Sequence, residues 1–187
     1  MIDNGKLPDW YIDSCKKIKY MFPKAHAVAY VMMAWRIAWF KVYMPQAYYA
    51  AFLGIRAKAL DYEKMCNGKE RVEKEMAILK EQQAQKIISN KDEDLLGVLK
   101  IVQEFYARGL EFAKIDLYKS KGKLFQITED NKVLPSFMAI PGLGENVAMA
   151  IEEEAKKAPF ATIDEFVERT KANKTVVEIL KQNGILD

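Results

Sequence analysis

The stretch Ile140-Pro141-Gly142-Leu143-Gly144-Glu145 carries the most specific chemistry in this chain, and it is a chemistry of backbone amides. A Pro-Gly pair makes a turn, Leu143 is the apolar residue inside it, and Gly144 lets the chain enter a helix whose first turn is 145–148. The first N–H groups of a helix have no partner within it and carry partial positive charge, so they can hold an anion such as phosphate. The missing side chains at Gly142 and Gly144 permit close approach. A contact of this kind holds a nucleic-acid backbone without reading its sequence. Gly142, Leu143 and Gly144 are therefore candidate DNA-binding residues, with Lys156 and Lys157 as nearby cations. Glu152, Glu153 and Glu154 oppose them, so binding through this part alone should be weak and salt-sensitive.

Two other readings of the hairpin stand beside that one. A dinucleotide fingerprint wants a third glycine where this chain has Val147, and Pro141 precedes the motif. Asp164 lies at a suitable distance, but the intervening KKAPFATIDEF reads as a loop leading into a helix rather than a second strand. The same residues could also form a tight turn with no ligand.

The remaining reactive residue types are few. One histidine and two distant cysteines, Cys15 and Cys66, exclude a Cys/His zinc site and suit two reduced thiols. No G-x-S-x-G is present, and one histidine leaves no nucleophile–base pair to build a small independent enzyme. Asp92 and Asp94 are the one tempting carboxylate pair. They precede a helical run, where residues two apart do not share a face, and capping or charging a helix start suits them better than holding metal ions. No catalytic and no metal-binding residues are expected.

Helices must position these groups. The chain has 187 residues, half of them hydrophobic and 29% charged, with a net charge of +3. That charge is uneven: residues 1–60 hold nine basic against three acidic side chains, and residues 135–187 hold six against nine. The basic first third is compatible with phosphates. Residues 9 to about 20 form a short amphipathic helix. Pro23 opens a longer helix to about Tyr43, and Pro45 stops it and starts another through Arg56. The long stretch is apolar nearly all round, but Arg36, Lys41 and Pro45 interrupt it too early for a membrane span. Gly68 closes the next segment. A charged helix follows with Val72, Met76, Leu79 and Ala77 as its apolar positions, and another ends at Gly109. FAKIDLY and KLFQIT read as the short strands of a hairpin separated by KSKG, with EDNK turning the chain back toward VLPSF, so a small sheet of two or three strands is expected. Thr162 and Glu165 have capping-box spacing. NKTVVEILKQNGILD is a final helix with Val176, Ile179 and Leu180 inward and Gly184 as its cap. These last elements read as a helix-hairpin-helix module with a degenerate second hairpin. The opening IDNGKLPDWYIDSC reads like the interior of a domain, so the chain is expected to be a piece of a longer protein.

The sequence FPKAHAVAYVMMAWRIAWFKVYMPQAYYAAFL resembles the F-x-K-x-H-A-x-A-Y helix in the fingers of bacterial family C replicative DNA polymerases, the α subunits of DNA polymerase III. With LPDWYIDSC before it and FAKIDLYKS and LPSFMAIPGLG after it, the chain looks most like the PolC type, over nearly its whole length. The resemblance implies a mainly α fold: a helical fingers bundle (1–60), a helical connector (61–111), and a small sheet plus helix-hairpin-helix DNA-binding module (112–187). It implies that Lys24 faces the triphosphate of a deoxynucleoside triphosphate or a template phosphate, that His26 donates a hydrogen bond nearby, and that Tyr30 supports the nascent base pair or simply packs. Arg36 would pair with an acid inside the bundle or reach the template. The family's catalytic carboxylates belong to a palm domain that is not among these residues. No cofactor is therefore expected here, magnesium is expected only in the full polymerase, and the chain alone should be inactive. The implied partners are primer–template duplex DNA, the nucleotide and the palm; the implied place is the cytoplasm, with no membrane. The rival reading is a stand-alone helical adaptor whose hairpin domain binds protein. Apolar surface around Trp35 and Trp39 that would meet the palm is expected to be exposed.

Overall fold

Proline and glycine set the helix boundaries. In the computed structural model, which describes residues 7–18 and 23–186, the chain divides into two units, Met1–Trp39 and Phe40–Asp187. In the first, α1 (Asp9–Lys17) ends at Ile18, whose backbone is extended. Tyr20, the expected end of this helix, lies outside the described residues. Helix α2 (Lys24–Tyr43) begins directly after Pro23 and crosses the division between the units. Its apolar side chains are exposed on every face, Tyr30 at 66% and Trp35 at 75% among them. Arg36 is exposed beside the Met33 sulfur and has no ion pair among the described residues. Among the described residues no helix is long and apolar enough to cross a membrane.

In the second unit, Pro45 occupies the first position of α3 (Pro45–Ala51). The sequence predicts one helix through Arg56, but residues Phe52–Arg56 widen into a π-type turn. Gly54 lies there against the backbone of Leu124 and Phe125, where an added Cβ would come within 3.1 Å of the Phe125 nitrogen. Helix α4 (Tyr62–Cys66) is capped by Asp61 and closed by Gly68, whose φ is +94°. Helices α5 (Lys69–Ala84) and α6 (Asn90–Ala107) pack together through Val72, Met76 and Leu79 on one and Leu95, Leu99 and Val102 on the other. Ala77 is exposed, contrary to the reading of the charged run, and Glu75 is turned inward instead. Its carboxylate is held by Arg71 at 2.9 Å and Lys64 at 3.6 Å. A buried carboxylate is tolerated when cations and hydrogen bonds compensate it.

The β region is a two-stranded sheet, and its hairpin joins KLFQIT to VLPSF rather than to FAKIDLY. Strands β1 (Gln126–Ile127) and β2 (Val133–Leu134) pair antiparallel around a turn with Asn131 at φ +61°. FAKIDLY adds only one parallel bridge, Phe112 to Val133. It does not continue as a strand because Asp116 bends it. The Asp116 carboxylate accepts the N–H groups of Tyr118 and Lys119, and the Ser120 N–H donates to the Asp116 carbonyl. Short polar side chains compete in this way with sheet formation.

A 3-10 turn at Phe137–Ala139 leads into α7 (Glu145–Lys157), α8 (Ile163–Thr170) and α9 (Lys174–Gln182). Leu143, Ala148, Ile151, Phe166, Val176 and Leu180 join the same core as α5 and α6. The fold is mainly α with a two-stranded sheet and a helix-hairpin-helix module.

Candidate functional site

The first hairpin is a turn with its donors facing out. The Leu143 N–H donates to the Ile140 carbonyl at 3.2 Å, closing a turn with Pro141 and Gly142 at its centre. Gly142 has φ +86°, the left-handed value that the second central residue of a type II turn requires. A Cβ at Gly142 would also meet the Ile179 side chain of α9 at 3.2 Å. Leu143 is 6% exposed and anchors the turn in the core, while Pro141, Gly142, Gly144, Glu145 and Asn146 are exposed.

Gly144 is different from Gly142. Its φ and ψ are −73° and 154°, a conformation open to any residue, and a Cβ built on it would meet nothing within 4 Å. Neither backbone strain nor packing within this chain calls for glycine there. No side chain caps α7, and among the described residues no group accepts the N–H of Gly142, Gly144, Glu145 or Asn146. The result is an exposed cluster of backbone donors at a helix start.

The second hairpin, residues 170–173 between α8 and α9, closes the equivalent place. Asn173 accepts the Val176 N–H at 2.9 Å and so caps α9 with its own side chain. Lys171 takes the left-handed conformation, φ +57°, where a glycine would be expected. The Thr170 hydroxyl donates to the Phe166 carbonyl and accepts the Ala172 N–H. In the second hairpin the N–H groups of Lys171, Ala172 and Val176 find acceptors within the chain, while among the described residues none accepts those of Asn173, Lys174 and Thr175.

Lys156 and Lys157 do not join the first hairpin. They sit at the other end of α7, about 17 Å away for eleven residues of helical rise, and pair with Glu152 and Glu154, each at 2.5 Å. The acids after the hairpin are engaged as well. Burial pushes Glu152 up, but Lys156, the Gly122 N–H and the charge of Lys121 outweigh it and hold the carboxyl below the usual carboxylate range. Lys157 and then Arg169 lower Glu154 in the same way. Arg169 ties α7 to α8 through Glu154 and Glu165 and lies over the Phe160 ring at 4.3 Å.

A cation that reaches the start of α7 is one the sequence does not single out. The segment KSKGK folds along α7: the Phe137 and Met138 N–H groups donate to the Lys121 and Gly122 carbonyls, and the Gly122 N–H donates to Glu152 at 2.7 Å. A Cβ on Gly122 would come within 2.7 Å of the Met149 sulfur and 3.0 Å of the Ala148 carbonyl oxygen. The glycine allows this close approach, and it delivers Lys123 to Glu145, the first residue of α7, at 3.0 Å. KSKG reads in the sequence as a strand-connecting turn. The only local hint of this role is a glycine flanked by two lysines.

In the first unit, Lys24 is the first residue of α2 and is exposed. His26 and Tyr30, one turn apart, stack edge to face with ring centroids 4.5 Å apart. Lys24 is two residues from His26, so the two project in different directions. Ser89 caps α6 by accepting the Asp92 N–H, its hydroxyl donates to the Asp92 carboxylate, and Asp94 pairs with Lys58 at 3.6 Å. Among the described residues no three His, Cys, Asp or Glu side chains converge to hold a metal ion.

Comparison with known proteins bears on the same residues. The family profile described as "Helix-hairpin-helix motif" matches residues 109–187. The chain is 46% identical over 182 residues to the DNA polymerase III PolC-type of Caldanaerobacter subterraneus subsp. tengcongensis, covering 97% of this chain and 13% of that protein. It is 44% identical over 187 residues to the PolC-type protein of Latilactobacillus sakei, covering 100% and 13%. It is 45% identical over 182 residues to that of Streptococcus pneumoniae, covering 97% and 12%. The chain thus spans about an eighth of the length of the curated relatives it matches.

Proposed function

The chain belongs to the bacterial PolC-type DNA polymerase III family, and from that premise we propose that it is a non-catalytic part of a replicative polymerase that grips duplex DNA by its backbone. The gripping element is the first hairpin, Gly142-Leu143-Gly144, with the open N-terminus of α7 behind it. Gly144 carries the proposal. Nothing inside the chain needs a glycine at that position, whereas a phosphate oxygen approaching the amides does. At the start of α9 the Asn173 side chain stands where Gly144 leaves α7 bare.

The functional division follows the resemblance: residues 1–60 as the end of the fingers, 61–111 as a connector, and 112–187 as the duplex-binding module. Lys24 at the start of α2 would meet a nucleotide or template phosphate, helped by the helix dipole. His26 and Tyr30 would stand beside the nascent base pair. The exposed apolar surface of α2 supports the palm of the intact polymerase as its partner. Magnesium would belong to that palm, and this chain alone would not polymerise. The site of action would be the cytoplasm.

Fluorescence anisotropy with primer–template duplexes of unrelated sequence tests the binding reading. The chain should bind them with equal, salt-sensitive affinity, because phosphate contacts release counterions and carry no sequence information. Affinity that depends on sequence, or no binding at low salt, would overturn it. In the intact polymerase, Lys24→Ala should raise KM for the deoxynucleoside triphosphate. An unchanged KM would remove Lys24 from the nucleotide site.

A further inference from the structure

We infer that Lys123 is the phosphate-contacting cation of the first hairpin, and that Glu145 holds its place in the free protein as an internal stand-in for phosphate. The inference rests on the proposed duplex-binding reading and assigns the charge that the hairpin amides lack.

The argument is one of placement. An amide cluster alone offers only partial charges, and duplex binding draws most of its affinity from full cations that displace counterions. Lys156 and Lys157 are at the far end of α7 and committed to Glu152 and Glu154. Lys123 reaches the first residue of α7 itself, where the exposed amides begin. Its position is built by the fold: the Lys121 and Gly122 carbonyls accept from the 3-10 turn, and the Gly122 N–H is held by Glu152. A side chain at Gly122 would crowd the Met149 side chain and the Ala148 carbonyl of α7. The Lys123–Glu145 pair is half exposed on both sides, 53% and 53%, so holding it together contributes little to stability and opening it costs little. A phosphate arriving at the amides would meet the Glu145 carboxylate unless Lys123 offset it, and Lys123 can turn from the carboxylate to the phosphate with its charge satisfied throughout. A carboxylate beside a binding cation then competes with the ligand for it.

This competition gives opposite signs to the two single substitutions, which a merely structural ion pair would not. The test is anisotropy of the whole chain with a primer–template duplex across a salt series, with thermal unfolding of each variant alongside. Lys123→Ala should weaken binding about fivefold and make the slope of log K against log salt shallower by about 0.9, one phosphate contact. Glu145→Gln should tighten binding several-fold. Lys156→Ala with Lys157→Ala should stay within twofold of the parent. Equal weakening by Lys123→Ala and Glu145→Gln would overturn the inference, as would a Lys123→Ala protein with unchanged affinity and slope while Gly144→Asn still weakens binding. If Gly144→Asn also leaves binding intact, the hairpin reading itself fails and Lys123 falls with it.

Discussion

At the first hairpin the residue before the helix is Gly144, which brings no side chain, and the amides of Glu145 and Asn146 face solvent. At the second it is Asn173, which turns its carboxamide back onto the Val176 N–H. Both loops bury an apolar residue, Leu143 in one and Ala172 in the other, and both lead into a helix anchored in the same core. The difference lies in where each puts its conformational cost. The first places glycine at its left-handed position, Gly142, and leaves the helix start open. The second accepts Lys171 in the left-handed region and caps the Val176 N–H with the Asn173 side chain. An open helix start at an exposed turn leaves its N–H groups to water or to an acceptor from outside the chain.

Substitutions at matched positions of the two hairpins sharpen this contrast. The largest effect is expected at the left-handed residue of the first. Gly142→Val forces a β-branched side chain to φ +86° and against Ile179, and should destabilise the chain by about 2–3 kcal/mol and abolish duplex binding in the anisotropy titration. The matched change in the second hairpin, Lys171→Gly, relieves a left-handed backbone at φ +57°. It should stabilise by about 1 kcal/mol in a denaturant melt, with duplex affinity unaltered. Asn173→Ala removes the α9 cap and should cost about 1 kcal/mol, again without touching affinity. A loss of binding in either second-hairpin variant would break the contrast.

The smallest effect separates the two ends of α7. Lys157 and Arg169 lower Glu154, and the Ala161 N–H and Arg169 lower Glu165. A carboxylate lowered in the folded state stabilises it above its ordinary value, near 4.3 for glutamate, and that contribution is lost as pH falls through the lowered value. On acidification below about pH 4, amide protection measured by hydrogen exchange should therefore fall at the junction of α7 and α8 before it falls at Leu143. Simultaneous loss at both ends would count against separate anchoring of the two.

Residue type alone made much of this readable. Pro141 and Gly142 announce a type II turn because few other pairs satisfy its dihedral angles. Leu143, Ala148 and Ile151 follow as the buried face. Thr162 caps the Glu165 N–H as its spacing predicts, although the Glu165 side chain returns to the Ala161 N–H, one residue before the cap. The points that escaped share one cause, a partner distant in sequence or a local side chain overriding the pattern. Lys123 and Glu145 are 22 residues apart, and no periodicity links them. Glu75 shares the buried face of Val72, Met76 and Leu79, where Lys64 from α4 meets it, and Ala77 falls outside that face. Asp116 stops a β-rich run that composition favours. Lys156 and Lys157 have the right charge near the right motif, but their own helix supplies carboxylates one turn back.

The most direct test of the central claim exchanges the two helix starts. Gly144→Asn should let residue 144 cap α7 as Asn173 caps α9, and Asn173→Gly should open α9 as Gly144 opens α7, each changing stability by only a few tenths of a kcal/mol. Measured by duplex titration at one low salt concentration, Gly144→Asn should lose about tenfold in affinity, on the order of 1.4 kcal/mol, and Asn173→Gly should bind as the parent does. A Gly144→Asn protein that is folded, slightly more stable and undiminished in affinity would contradict the account.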